Sequence, residues 1–124
     1  MTKTKIAKEI GIWLVTLLLV LIFGSTGIQK FPDHGFWKTA FRAAGFPDWF
    51  RLLIGVIEIA AAAVILIPRT AAYAAASMIV VMIGAFVTAL TVPRSVGLNI
   101  VAPSVAMLLA AIVLLARWRE RVRV

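Results

Sequence analysis

The chain has 124 residues, 63% of them hydrophobic and only 15% charged, with a mean hydropathy of +1.05. Soluble domains are nearer half apolar and a quarter charged, and one this short cannot bury such a surplus of apolar surface, so composition points to a single membrane-embedded domain. Lack of cysteine excludes disulfides, dithiol exchange, thiolate metal sites and iron–sulfur ligation, and the formal charge of +8 gathers at the edges of apolar runs, as in membrane helices, rather than in a nucleic-acid-binding pattern.

In chain order, the first apolar run covers about Ile10–Ile28 behind Lys3, Lys5 and Lys8. Its basic start and its small residues Gly24, Ser25 and Gly27 imitate a secretory signal. Its apolar core exceeds the usual ~7–15 residues of such a signal and further runs follow, so it reads as a retained span. Three more spans are expected at about Trp49–Ile67, Ala71–Thr91 and Leu98–Ala116. Roughly 19 or more residues at ~1.5 Å each cover a ~30 Å hydrocarbon core. Within lipid such segments must be helical, because each backbone amide has to be satisfied inside its own segment. The expected fold is therefore all-α, an integral membrane four-helix bundle over residues 1–124.

The loop between the first two spans, Gln29 to Asp48, carries a pattern of its own. Asp33 is positioned to cap a short helix over His34–Ala44, with Gly45 to end it and Pro47 to bar continuation. Phe36, Trp37, Ala40, Phe41 and Ala44 would share one face, with Lys38 and Arg42 on the other. This describes a short interfacial helix in the first outer loop, or equally a lid over the bundle. Of the thirteen Lys and Arg residues, Lys3, Lys5, Lys8, Arg69, Arg117, Arg119, Arg121 and Arg123 fall on one side of the membrane. Lys30, Lys38, Arg42, Arg51 and Arg94 fall on the other, which puts both termini in the cytoplasm of a multi-pass inner-membrane protein. Trp13 and Trp118 suit the inner interface, Trp37 and Trp49 the outer.

Small residues recur on one face of each span, which permits close helix approach in membranes. The stripes are Val20, Gly24 and Gly27; Arg51, Gly55, Glu58 and Ala62; Ala74, Ser77, Val81, Gly84, Thr88 and Thr91; and Asn99, Pro103, Ala106, Ala110 and Val113. Glu58 is the one polar residue in GVIEIAAAAVILIP, Gly55 to Pro68, and it lies on such a stripe. An acid at mid-membrane costs roughly 2.5–3.5 kcal/mol even on lenient insertion scales, so it demands a partner or a purpose. Glu58 can be a neutral packing pin bonded to Ser77, Thr88 or the Asn99 carbonyl that Pro103 frees. It can be the partner of Lys30, or of Arg51 through a water, since Arg51 lies two turns, ~10.5 Å, away on the same helix. It can also be a proton or ligand site. The candidate binding residues are accordingly Glu58, Lys30 and Arg51, with Gly27, Gly55, Ser77, Thr88, Thr91 and Asn99 as possible pocket lining. His34 is the only histidine and reads as an exposed turn residue; no metal site and no catalytic array is expected. Glu9 is expected to pair with Lys5, and Glu120 with the tail arginines.

The succession GIQKF at Gly27–Phe31, GFP at Gly45–Pro47, GVIEIAAAAVILIPR at Gly55–Arg69 and GAFVTAL at Gly84–Leu90 resembles the DoxX and DoxX-like family of small membrane proteins. That resemblance implies four transmembrane helices. It carries over Gly27 and Lys30 as the family's glycine–lysine pair and Glu58 as its intramembrane acid. It also implies quinone-coupled or oxidative-stress redox assemblies as the setting. One departure is that Ala89 follows Thr88 where relatives often carry histidine. Three functions compete: an accessory subunit contacting quinone or lipid in a membrane redox complex, a non-catalytic assembly factor, and a small proton-coupled transporter working as a homo-oligomer. Any cofactor would be a non-covalently bound quinone, and the expected partners are the lipid bilayer, a redox partner subunit and a second copy of the chain.

Overall fold

The apolar runs fold as helices. A computed structural model describes residues 2–93, 97, 98 and 100–119. Among these it holds five helices and no strand: α1 (Lys3–Gln29), α2 (Phe36–Ala43), α3 (Asp48–Val64), α4 (Ala71–Thr91) and α5 (Val101–Arg117). Thr2 caps α1, its hydroxyl accepting from the Lys5 amide at 3.2 Å. Two helices, α1 and α4, are long and apolar enough to cross a membrane. α3 and α5 have 17 residues each, which at ~1.5 Å per residue is roughly 25 Å of helix.

The differences from the expected spans have local causes. α3 stops at Val64 instead of continuing to Ile67, because Leu66 and Ile67 donate to carbonyls three residues back in a tightened last turn before Pro68. α5 starts at Val101, not Leu98, and holds Pro103 in its first turn, where a missing amide removes no helix bond. α2 is shorter than His34–Ala44, and Asp33 does not cap it. Gly35 is the N-cap residue and no side chain bonds to the free amides. Asp33 instead pairs with Lys38 and lies 3.7 Å from the Arg51 guanidinium; two cations within reach win over a neutral amide. Gly45 does end α2, in the left-handed conformation (φ 85°) that a side chain disfavours.

α1 packs against α3 and α5, α4 against α5 and α3, and α2 against α3. Arg51, Gly55, Glu58 and Ala62 are all buried on α3, and Pro103, Ala106, Ala110 and Val113 on α5, as their spacing predicts. α1 buries Ile12, Thr16, Leu19, Phe23 and Gly27, so of its expected stripe only Gly27 is buried while Val20 and Gly24 are half-buried. α4 departs from expectation. Its buried residues are Ala71, Ala72, Ala74, Ala75 and Met78, all in its first eight positions, while Gly84 and Thr91 are exposed. The alanines let α3 and α5 approach closely there; further along, Val80, Ile83, Val87 and Leu90 are all exposed.

Candidate functional site

α1 and α3 cross where neither carries a side chain. A β-carbon added to Gly27 would lie 3.0 Å from the Gly55 carbonyl and 2.8 Å from Ile59 Cγ1. One added to Gly55 would lie 3.0 Å from the Gly27 carbonyl. This contact brings the end of α1 against the first half of α3 and sets Lys30 opposite Glu58. Both are buried, at 3% and 2% exposure. Lys30 Nζ donates to both carboxylate oxygens, at 2.8 and 3.0 Å, and Thr26 Oγ1 donates to Oε2 at 3.0 Å. The ammonium also reaches the Thr26 carbonyl at 3.4 Å and sits 4.0 Å from the centre of the Trp37 ring. Opposite charges, a hydroxyl and an aromatic face thus compensate the desolvation of the pair.

Arg51 serves a neighbouring purpose. Its Nη1 donates to the Lys30 carbonyl and, at 2.7 Å, to the Pro32 carbonyl, fastening the chain as it leaves α1. Asp33 and Asp48 lie 3.7 and 3.8 Å from its Nη2. Its Nε is buried without a hydrogen-bond partner among the described residues. Arg51 therefore belongs to the same corner as Glu58 but is no direct partner of it. α2 closes this corner: Ala40 is buried, Phe41 packs on Phe46 and Phe50, and Trp37 Nε1 donates to Gln29 Oε1 at 3.2 Å. Lys38 holds the Asp33 carboxyl below its ordinary value of 3.8, first through their hydrogen bond and then by charge, with Arg51 and Arg42 adding to the effect.

The structure thus brings together Glu58, Lys30, Arg51, Gly27 and Gly55. It does not bring the hydroxyl residues to them. Ser77 bonds the Ala74 carbonyl at 2.8 Å, Thr88 that of Gly84 at 2.7 Å, and Thr91 that of Thr88 at 3.0 Å, each within α4. Asn99, with Arg94 and Glu120, lies outside the described residues. Sequence reasoning missed Thr26, which lies on the Gln29 side of the expected stripe, and the seating of Trp37 over Lys30, for which the amphipathic pattern of α2 was the available signal. At the other end of α1, Glu9 pairs with Arg117 of α5 at 2.7 Å, not with Lys5. Arg117 is buried near the Trp13 ring, 5.4 Å from its centre, so the cation fixed by packing takes the carboxylate ahead of an exposed lysine. Among the described residues no group of His, Asp or Glu side chains is arranged to hold a metal ion.

Comparison with curated proteins and with solved structures returned no match. The model of the DoxX-like family matches residues 14–114, a stretch that runs from α1 into α5 and contains Gly27, Lys30, Arg51 and Glu58. The chain is therefore a membrane protein belonging to the DoxX-like family.

Proposed function

We propose that the protein crosses the cytoplasmic membrane four times as a helical bundle, with both termini in the cytoplasm, and acts as a non-catalytic accessory subunit of a membrane redox or oxidative-stress assembly. The observation that carries the non-catalytic part is the enclosure of Glu58. Its oxygens accept from Lys30 and Thr26, and the Lys30 ammonium is covered by Trp37. A carboxylate that exchanges protons or takes a quinone needs an open side, whereas this one holds α1 and α3 in register. The redox setting is what the resemblance to the DoxX-like family implies. The polypeptide has no cysteine and a single histidine, so electrons would be carried by a partner or by a bound quinone. Four crossings are supported by the short 65–70 turn, which makes α3 and α4 run antiparallel, and by the segregation of Lys and Arg.

The test is the set Glu58→Gln, Lys30→Met and the double variant Lys30→Met/Glu58→Met. Breaking a buried pair typically costs ~3–5 kcal/mol, whereas replacing both members by apolar groups is near neutral. Each single variant should therefore lower thermal stability in lipid nanodiscs, and the double variant should recover it. The double variant should also restore oxidant tolerance to cells lacking the protein. A double variant as stable as wild type but without activity in cells would sink this reading and favour a quinone-contacting Glu58.

A further inference from the structure

α3 and α4 leave an apolar groove of about 270 Å³ between them, walled by Ile57, Ala60 and Val64 on one side and by Tyr73 and Ser77 on the other. These positions recur at three- to four-residue spacing, so the groove runs along the helices for about two turns, roughly 10 Å. Ser77 turns its hydroxyl back to the Ala74 carbonyl, so the wall away from the Tyr73 end is apolar. The groove starts at the 65–70 turn, where Val64 and Tyr73 lie. Arg69 sits in that turn, exposed, and none of the ion pairs among the described residues includes it. Tyr73 follows four residues later and is 57% exposed.

We propose that this groove seats one acyl chain of an anionic phospholipid whose phosphate is held at Arg69. Charge argues for the headgroup. α1 and α3 are antiparallel, since Gly27 meets Ile59 while Lys30, further along, meets the earlier Gly55, and Arg117 of α5 meets Glu9 of α1. Lys3, Lys5, Lys8, Arg69 and Arg119 therefore share one end of the molecule, and all are exposed. The carboxylate described at that end, Glu9, is already paired with Arg117. An uncompensated positive end draws anionic lipid, by ~1 kcal/mol for each basic residue near the surface. Tyr73 has the amphipathic ring found at headgroup level. The inference rests on the four-crossing reading, which puts the 65–70 turn at a membrane surface.

Native mass spectrometry of protein taken from equimolar phosphatidylglycerol and phosphatidylcholine vesicles tests it. Wild type should retain phosphatidylglycerol preferentially. Arg69→Gln should cut that preference about fivefold, the factor equivalent to ~1 kcal/mol, and Arg69→Lys should keep it. Ala60→Phe, which fills the groove, should lower retention of both lipids at unchanged helix content. An Arg69→Gln preference equal to wild type, or a quinone as the retained molecule, would overturn the proposal. Arg69→Cys, the only thiol in that variant, checks the crossing reading separately: no labelling by an impermeant maleimide from either side of the vesicle would remove the turn from the membrane surface.

Discussion

Glycine carries opposite meanings at different points of this chain, and the surroundings of each decide which. Gly24 and Gly84 have nothing within 4 Å of an added β-carbon. Alanine there should stabilise the protein by up to ~1 kcal/mol through helix propensity alone. At Gly27 the same methyl meets the Gly55 carbonyl at 3.0 Å and Glu58 Cβ at 3.2 Å. Backbone cannot rotate away as a side chain can, so α1 and α3 must separate and the Lys30–Glu58 contact must lengthen. Overpacking costs ~1–3 kcal/mol, which exceeds the propensity gain. Gly27→Ala should therefore lower the melting temperature in nanodiscs while Gly24→Ala does not. A Gly27→Ala protein as stable as Gly24→Ala would show that the two helices do not cross at these glycines. The same contact explains why the partner of Glu58 stayed open in the sequence. Position within α3 supplied Arg51 as a neighbour on one face, but only the crossing of two helices brings Lys30 within 2.8 Å.

Helix boundaries and faces were legible where a single element decides them. α4 runs from Ala71 to Thr91 as its hydropathy predicts, and the α3 and α5 stripes are buried as spaced. Legibility failed where another element decides. The small-residue stripe of α4 is not its buried face beyond Ala74, because what α4 buries depends on where α3 and α5 approach it. Asp33 failed for the same reason: a local capping rule lost to Lys38 and Arg51. That outcome predicts a pH-sensitive loop between α1 and α3. Lys38 lowers the folded-state pKa of Asp33 below 3.8, so its stabilising contribution is fully present above the unfolded value. It is lost as pH falls through the lower folded value. Amide exchange over residues 30–48 should thus stay slow from pH 7 to about 4, the ordinary aspartate range, and show extra opening below it after correction for intrinsic rates. Asp33→Asn should show that opening at every pH. Equal protection of wild type and Asp33→Asn at pH 7 would mean that the carboxylate does not hold the loop.

Among the described residues, the buried charged side chains gather at the two ends of α1, and each end uses the same parts. At one, Lys30 and Glu58 join α1 to α3 beside Trp37; at the other, Arg117 and Glu9 join α5 to α1 beside Trp13. Between them the core is apolar and rich in alanine, built from Leu19, Phe23, Ala61, Ala75, Met78, Ala106 and Ala110. Outward-facing positions hold Leu14, Leu21, Val80, Leu108 and Leu115, all exposed. A chain with apolar groups both inside and outside suits a solvent of hydrocarbon, with ion pairs and tryptophans near the levels where hydrocarbon gives way to headgroups. The proposed topology can be tested without knowing the function, because the absence of cysteine makes every introduced thiol unique. In right-side-out vesicles, Arg42→Cys on α2 should react with an impermeant maleimide. Lys5→Cys, Arg69→Cys and Arg119→Cys should react only once the membrane is opened. The three protected positions lie at the start of α1, in the α3–α4 turn and after α5, each separated from the next by two proposed crossings, so they must agree. Labelling of Arg69→Cys together with Arg42→Cys before opening would put the α3–α4 turn on the outer side, reduce the crossings to two, and leave α1 and α4 as the spanning helices.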